Sequence, residues 1–322
     1  MYRLYCMGCI EGAKKYIADN SIDLIVTDPP YGISGNHLDK HYHRNEGYVI
    51  DGYVEIPLEQ YAEFSIRWMK QAERILRPGG SAYIFSGYSN LYHILNALQQ
   101  TRLKEVNHII WKYNFGVYTS KKYVSSHYHI LYCVKPGGKI IFNTYSRYGS
   151  DERDISGNVL NYKDREDVWI INRTYKPGKQ KNKNELPDEL LIKIMQYSSN
   201  EGDHIVDFFL GGFSTAKVAI GLNRSITGFE LNKNSFDHHI AKIKTVNPGD
   251  LLSMIRRGNK KHPVNQHKPW NEEQRIKLNK RYIELYNKIK NKKRVIEILQ
   301  QEFGRGYFSI VNQININLQA GR

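Results

Sequence analysis

No stretch of the 322-residue sequence approaches the roughly 18 consecutive apolar residues that a helix needs to cross a bilayer. Nor does it begin with a charged segment followed by an apolar run, so no signal peptide is expected. Cysteine is scarce. Cys6, Cys9 and Cys133 are too few for a disulfide framework and fit a reducing, cytoplasmic setting. The first two have C-x-x-C spacing, but no second pair completes a zinc site, so they read as half-buried cysteines on an early strand and turn. No metal is expected. Acids are also in short supply, 32 against 47 Lys and Arg, which leaves a net charge of +15 and points to a polyanionic partner. The deficit is local. From Lys242 to Arg294, sixteen Lys and Arg face four acids, whereas the first 241 residues are nearly neutral.

What is present reads first as an α/β domain. Short β-rich runs alternate with helical periodicity over the first 240 residues, the pattern of a largely parallel sheet. Ile22 to Thr27 is an apolar run of the kind a buried parallel strand shows. Tyr61 to Leu76 has helical spacing and stops at Arg77-Pro78-Gly79-Gly80, after which Ser81 to Phe85 is the next strand. Further strands are expected at 108–111 and 129–134. From Lys139 to Asn184 the pattern dissolves into polar, Tyr- and Asn-rich loops. Leu186-Pro187-Asp188-Glu189 then opens a helix. A strand over 204–208, a glycine turn, a helix over 214–222 and a strand over 225–229 complete a β-α-β unit. Residues 246–269 form a basic linker. Three helical stretches follow, with apolar positions Ile276, Tyr282, Leu285 and Ile289 on the first.

Two segments carry chemistry. Asp28-Pro29-Pro30-Tyr31 follows a strand, where α/β enzymes place their sites. An exocyclic base amine is a poor nucleophile because its lone pair is delocalised into the ring. A carboxylate and a carbonyl accepting its two hydrogens would push the nitrogen toward tetrahedral geometry. Prolines fix φ, so the carbonyl between them can be held rigidly, and the tyrosine ring can stack on an extruded base. The second segment, Asp207-Phe208-Phe209-Leu210-Gly211-Gly212-Phe213-Ser214-Thr215, leaves a strand and opens a helix. Its glycines allow close backbone approach to a ligand. Glu230, about twenty residues on, can accept ribose hydroxyls.

In their order along the chain these segments resemble the β group of DNA amino-methyltransferases, where D-P-P-Y precedes F-x-G-x-G and a target-recognition region lies between. The resemblance implies a Rossmann-like, S-adenosylmethionine-dependent fold with a mainly parallel sheet. It places Asp28, Pro29, Pro30 and Tyr31 on the target amine and base. It places Asp207, Phe209, Gly211, Gly212, Ser214 and Glu230 at the cofactor, with Lys183 and Glu185 at the approach of the neighbouring helix. The expected domains are a methyltransferase domain over 1–245 with its recognition insertion at 139–184, the linker, and a small all-α domain over 270–322. That last domain resembles a helix-turn-helix module with Tyr307 to Leu318 as its recognition helix, although its basic residues sit on the first helix, the next turn and the linker, which favours phosphate gripping. Double-stranded DNA is the implied partner, with a restriction endonuclease and a homodimer as further expectations and no membrane. D-P-P-Y is found mostly in adenine-modifying members, which favours N6 of adenine. The alternatives are cytosine N4, RNA, or a DNA-binding protein whose catalysis has decayed.

The segment departs from the family's D-P-F-x-G-S-G-T: Phe208 stands at a proline and Phe213 at the last glycine, where a side chain would obstruct close backbone approach. Met7-Gly8-Cys9 stands where an acidic residue is usual. Elsewhere, His37, His41 and His43 read as a DNA-facing loop, and His127 and His129 alternate along a strand with no catalytic part. In the insertion, Arg147, Arg153, Lys163, Arg165 and Arg173 mix with Tyr145, Tyr148, Tyr162 and Tyr175, side chains suited to phosphates and base edges.

Overall fold

The computed structural model describes residues 1–30, 56–114, 116, 118, 120–173, 185–253, 255, 265 and 269–320. The chain divides into two compact units, 1–148 with 160–257, and 149–159 with 258–322.

In the first unit, eight strands among the described residues form one sheet. They are β1 (Tyr2–Cys6), β2 (Ile22–Thr27), β3 (Leu76–Ser86), β4 (Lys104–Lys112), β5 (His127–Val134), β6 (Val168–Ile170), β7 (His204–Asp207) and β8 (Ser225–Glu230). Their spatial order is β1-β8-β7-β2-β3-β5-β4-β6. The first five in that order run parallel, β5 is antiparallel to both its neighbours, and β6 joins β4 in parallel. Helices α1 (Cys9–Tyr16), α2 (Leu58–Ile75) and α3 (Leu91–Gln99) pack on one face. The other face, beyond the short α4 (Leu160–Asp164), is covered by α5 (Asp188–Ser198), α6 (Ser214–Gly221) and α7 (Lys233–Ile243). A strand covered on both sides is largely apolar. The centre of β2 follows this, with Leu24 and Val26 facing the α5 side and Ile25 the α2 side, while Asp23 near its start pairs with Arg77. On α2, Tyr61, Ser65, Trp68, Met69, Ala72 and Ile75 recur at helical spacing and form its buried stripe.

The chain departs from its sequence pattern where long-range pairing overrides local punctuation. Arg77-Pro78-Gly79-Gly80 does end α2, but β3 starts immediately at Leu76 and includes it. Lys135 makes this possible by accepting from the Gly79 N–H at 2.8 Å and donating its own N–H to Gly80 O at 3.0 Å. Gly79, at φ +78°, passes the Lys139 carbonyl so closely that a Cβ would lie 2.3 Å from it.

The insertion is likewise more than loops, since it contains α4 and supplies the edge strand β6. Its anchor is the half-buried Asp164, which accepts from Tyr197 Oη at 2.6 Å and Arg147 Nε at 3.0 Å and lies 3.5 Å from Lys193 Nζ. Burial pulls the Lys193 amine down to about 8 despite Asp164 beside it. The start of the segment read as a linker lies on the first unit. Gly249 N–H donates to Ile220 O, Leu251 N–H to Gly221 O, and Leu252 is buried.

The second unit contains α8 (Glu272–Ile289), α9 (Lys292–Phe303) and α10 (Tyr307–Ala320) around Leu278, Leu285, Val295, Ile296, Leu299, Ile310 and Ile314. Asn271 and Asn291 cap α8 and α9 by accepting the N–H of Gln274 and of Arg294. Ile276, expected in this core, is 63% exposed, and Leu278 takes the inward position. Arg281 is held by Glu302 and Glu284, and Arg305 lies 4.5 Å over the Trp270 ring. By contrast, Lys288, Lys290, Lys292, Lys293 and Arg294 crowd the α8–α9 turn and are all exposed. Residues 149–159 include a tight hairpin closed by a bridge between Arg153 and Val159. Among the described residues, no helix is long and apolar enough to cross a membrane.

The cysteines are not half-buried, as their spacing suggested. Cys6 is exposed, whereas Cys9 is buried on α1 and its thiol is pushed up to about 12 by loss of solvent. Thiolate is the reactive form. At pH 8 a thiol reagent is therefore expected to label Cys6 rapidly, with Cys9 and Cys133 reacting only after denaturation. Counting labelled thiols before and after adding guanidinium checks this.

Candidate active site at the carboxyl edge of the sheet

Strands β8, β7 and β2 are adjacent and parallel, so the segments that follow them emerge side by side. After β2 come Asp28, half-buried, and Pro29 and Pro30, both buried. After β7 comes the glycine turn, and β8 ends at Glu230. Tyr31, Lys183, Tyr175, His37, His41 and His43 lie outside the described residues.

The two loops are tied together beneath the surface. Thr27 Oγ1 donates to Asp207 Oδ1 at 3.0 Å and accepts the Phe208 N–H at 3.1 Å. The same Asp207 oxygen accepts the Phe209 N–H at 3.0 Å. Asp207 is only 2% exposed, and burial raises its carboxyl to about 6 against the opposing pull of hydrogen bonds from Phe209 N–H, Thr215 and Thr27. Asp207 thus organises the turn from below.

Above it, Gly211 takes φ +49° and donates its N–H to Glu230 Oε2 at 3.0 Å. Glu230 Oε1 accepts the Asn232 N–H at 2.8 Å, and burial raises this carboxyl too. Ser214, at the start of α6, donates to Glu185 Oε1 at 3.3 Å. α5 is linked to α6 by the ion pair of Asp188 with Lys217. Phe209 is half-buried against Phe64 and Trp68 of α2, with ring centroids at 5.9 and 5.6 Å. The predicted residues Asp28, Pro29, Pro30, Glu185, Asp207, Phe209, Gly211, Gly212, Ser214 and Glu230 thus belong to neighbouring loops on one edge, or to the helix approach beside it.

The family model for the N6/N4 DNA methylases matches residues 22–243, from the start of β2 to the end of α7. The chain belongs to this DNA methylase family. The Type II methyltransferase M.HpaI of Haemophilus parainfluenzae is 31% identical over 234 residues, covering 72% of this chain and 70% of that protein. Among solved structures, the M1.HpyAVI–SAM complex covers 76% of this chain and 100% of its own at 21% identity and a TM-score of 0.54. The cytosine-N4-specific PvuII DNA methyltransferase covers 79% of this chain and 95% of its own at 13% identity and a TM-score of 0.55. The fold is accordingly the Rossmann-like one of these DNA methyltransferases.

Both aromatic departures from the family motif have structural roles in this methylase. A proline at 208 would have no N–H to give Thr27, whereas Phe208 donates one and buries its ring near Trp68 and Phe229. Phe213 adopts the left-handed conformation a glycine would take, at φ +61° and ψ +19°. Its ring does not obstruct the turn. It is 1% exposed and packs in the core against Phe236 and His239 of α7.

Sequence reasoning did not select Thr27, although the residue before D-P-P-Y was in view, nor Thr215, which stood at the end of the quoted turn. His127 and His129 share a face of β5, and His129 is hydrogen-bonded to His108 at 2.8 Å. Among the described residues, no group of His, Cys, Asp or Glu is arranged to hold a metal.

A left-handed non-glycine residue costs about 1–2 kcal/mol, and loss of a buried phenylalanine ring costs about 3–5 kcal/mol. Phe213→Gly is therefore expected to destabilise the protein by about 2 kcal/mol despite relieving the backbone. Urea denaturation of the two proteins measures the balance, and a stabilised glycine variant would reverse it.

Proposed function

We propose that this methylase transfers the methyl group of S-adenosylmethionine to N6 of adenine in double-stranded DNA. The observation that carries the reading is the adjacency of the Asp28-Pro29-Pro30 loop and the glycine turn on neighbouring strands, joined through Thr27 and Asp207. The Asp28 carboxylate and the Pro29 carbonyl accept the two hydrogens of the target amine, which pyramidalises the nitrogen and frees its lone pair. Two buried prolines restrict the carbonyl that does this. Tyr31 stacks on the extruded base. Glu230 accepts the ribose hydroxyls, Phe209 flanks the adenine of the cofactor, and Gly211, Gly212 and Ser214 let backbone come close, with Lys183 and Glu185 at its entrance. Half-buried Phe209 and the left-handed glycine turn beside Glu230 suit a nucleoside. When bound, the cofactor supplies an electrophilic methyl on its sulfonium sulfur.

Aspartate at the head of D-P-P-Y favours adenine, since cytosine-modifying relatives usually begin with serine there. The residues of 139–184 read the target sequence. The C-terminal unit grips the duplex through the five exposed cations of the α8–α9 turn, whereas Arg281 and Arg305 are engaged internally. Likeness to a Type II methyltransferase supports a cytoplasmic role beside a restriction endonuclease.

Duplex DNA incubated with labelled S-adenosylmethionine and then digested is expected to yield N6-methyladenine, and Asp28→Ala to lower kcat by about 100-fold or more. N4-methylcytosine as the product would move the assignment to the other base, label in RNA alone would remove the DNA substrate, and cofactor and DNA binding without transfer would mark lost catalysis. Ending the chain after Arg257 is expected to weaken DNA binding and reduce the slope of log affinity against log salt. An unchanged slope would exclude the C-terminal unit from the phosphate contacts.

A further inference from the structure

Thr27 is the last residue of β2, its side chain is fully buried, and Asp28 follows it directly. Its hydroxyl uses both its capacities, donating to Asp207 Oδ1 and accepting from the Phe208 N–H. Thr27 and Asp207 lie 180 positions apart in the chain, and between their segments β2 and β7 share a ladder only at Leu24–Ile205 and Ile25–Val206. Beyond those two pairs, the threonine hydroxyl continues the connection at the level where the two loops leave the sheet. Asp207 Oδ1 also receives the Phe209 N–H, so one oxygen fixes both the base of the amine-binding loop and the first turn of the cofactor loop.

We propose that Thr27 is a positioning residue for methyl transfer, whose hydroxyl sets the distance between the Asp28 loop and the glycine turn. It touches neither substrate nor cofactor. It acts through Asp28 on one side and through Asp207, Phe208 and Phe209 on the other. Fixed separation matters because in-line transfer between two bound molecules is sensitive to displacements of about 1 Å, which can cost about 100-fold in rate. The inference rests on the roles proposed above for Asp28 and the glycine turn.

Thr27→Val keeps the shape and removes the hydroxyl, while Thr27→Ser keeps the donor and acceptor. Three measurements on the full chain decide the matter: thermal unfolding, affinity for S-adenosylhomocysteine by calorimetry, and kcat and KM for labelled methyl transfer to duplex DNA. At a temperature where both variants remain folded, Thr27→Val is expected to lower kcat by about 10- to 100-fold. Its affinity for S-adenosylhomocysteine is expected to weaken several-fold, and Thr27→Ser to recover most of both losses. A valine variant with wild-type kcat and cofactor affinity overturns the proposal. So does a serine variant as impaired as valine, because that would assign the effect to packing. Wild-type protein without transfer, or an undiminished Asp28→Ala variant, would defeat the underlying assignment instead.

Discussion

One oxygen of a buried carboxylate, Asp207 Oδ1, is where the two halves of the site meet. Burying a carboxylate is unfavourable unless donors replace the lost water. The protein supplies them from three places: Thr27 at the end of β2, Thr215 on α6, and the backbone of Phe209. Each donor is useful only if its own element is in position. β2 must lie against β7, α6 must begin at Ser214, and the chain must turn sharply after Phe208. The order of strands in the sheet, the glycine turn and the helix that follows it are thus conditions for the same hydrogen-bond set. Glu230 repeats the arrangement one strand over, accepting the N–H of Gly211 and of Asn232.

The two aromatic departures from the family motif belong to this arrangement. Phe208 provides both a backbone donor for Thr27 and a ring for the cluster under α2, whereas proline could not donate. Phe213 accepts a strained backbone because its ring fills core space beside Phe236 and His239. The turn therefore keeps a left-handed geometry of the kind that glycine adopts without cost. On the α2 face, Phe208 and Phe209 form an aromatic lining that continues through Trp68 and Phe229, while Phe213 packs on the opposite face of the sheet.

The local features of the site were legible because local chemistry specifies them. A continuous apolar run marks β2, prolines end it, and a two-glycine turn between a strand and a helix marks the second loop. Strand adjacency was not legible in the same way, since nothing near Thr27 signals Asp207. The family order of motifs implied a shared site, but the threonine hydroxyl that joins its halves emerged only with the sheet. Similar limits explain β6 and the opening of β3. Val168–Ile170 is too short for a period to register, and Arg77-Pro78-Gly79-Gly80 reads as punctuation until Lys135 pairs with it. The exposure of Cys6 and Ile276 depends on which side of an element faces a neighbour, and short windows mark that side poorly. Tyr31 and Lys183, both legible as motif positions, lie outside the described residues.

The insertion shows a different kind of order. Asp164 binds Arg147 and Tyr197 and lies beside Lys193, so the chain is pinned to α5 on both sides of residues 149–159. Trp111 Nε1 donates to Ile171 O further along, and Arg173 stacks over Tyr113 at 4.6 Å. A segment fastened at its roots in this way is suited to heritable change. Its outward residues can diverge from one lineage to the next while these fasteners stay the same, so under the recognition role proposed for 139–184 a new DNA sequence preference would arise by exchanging the tip alone.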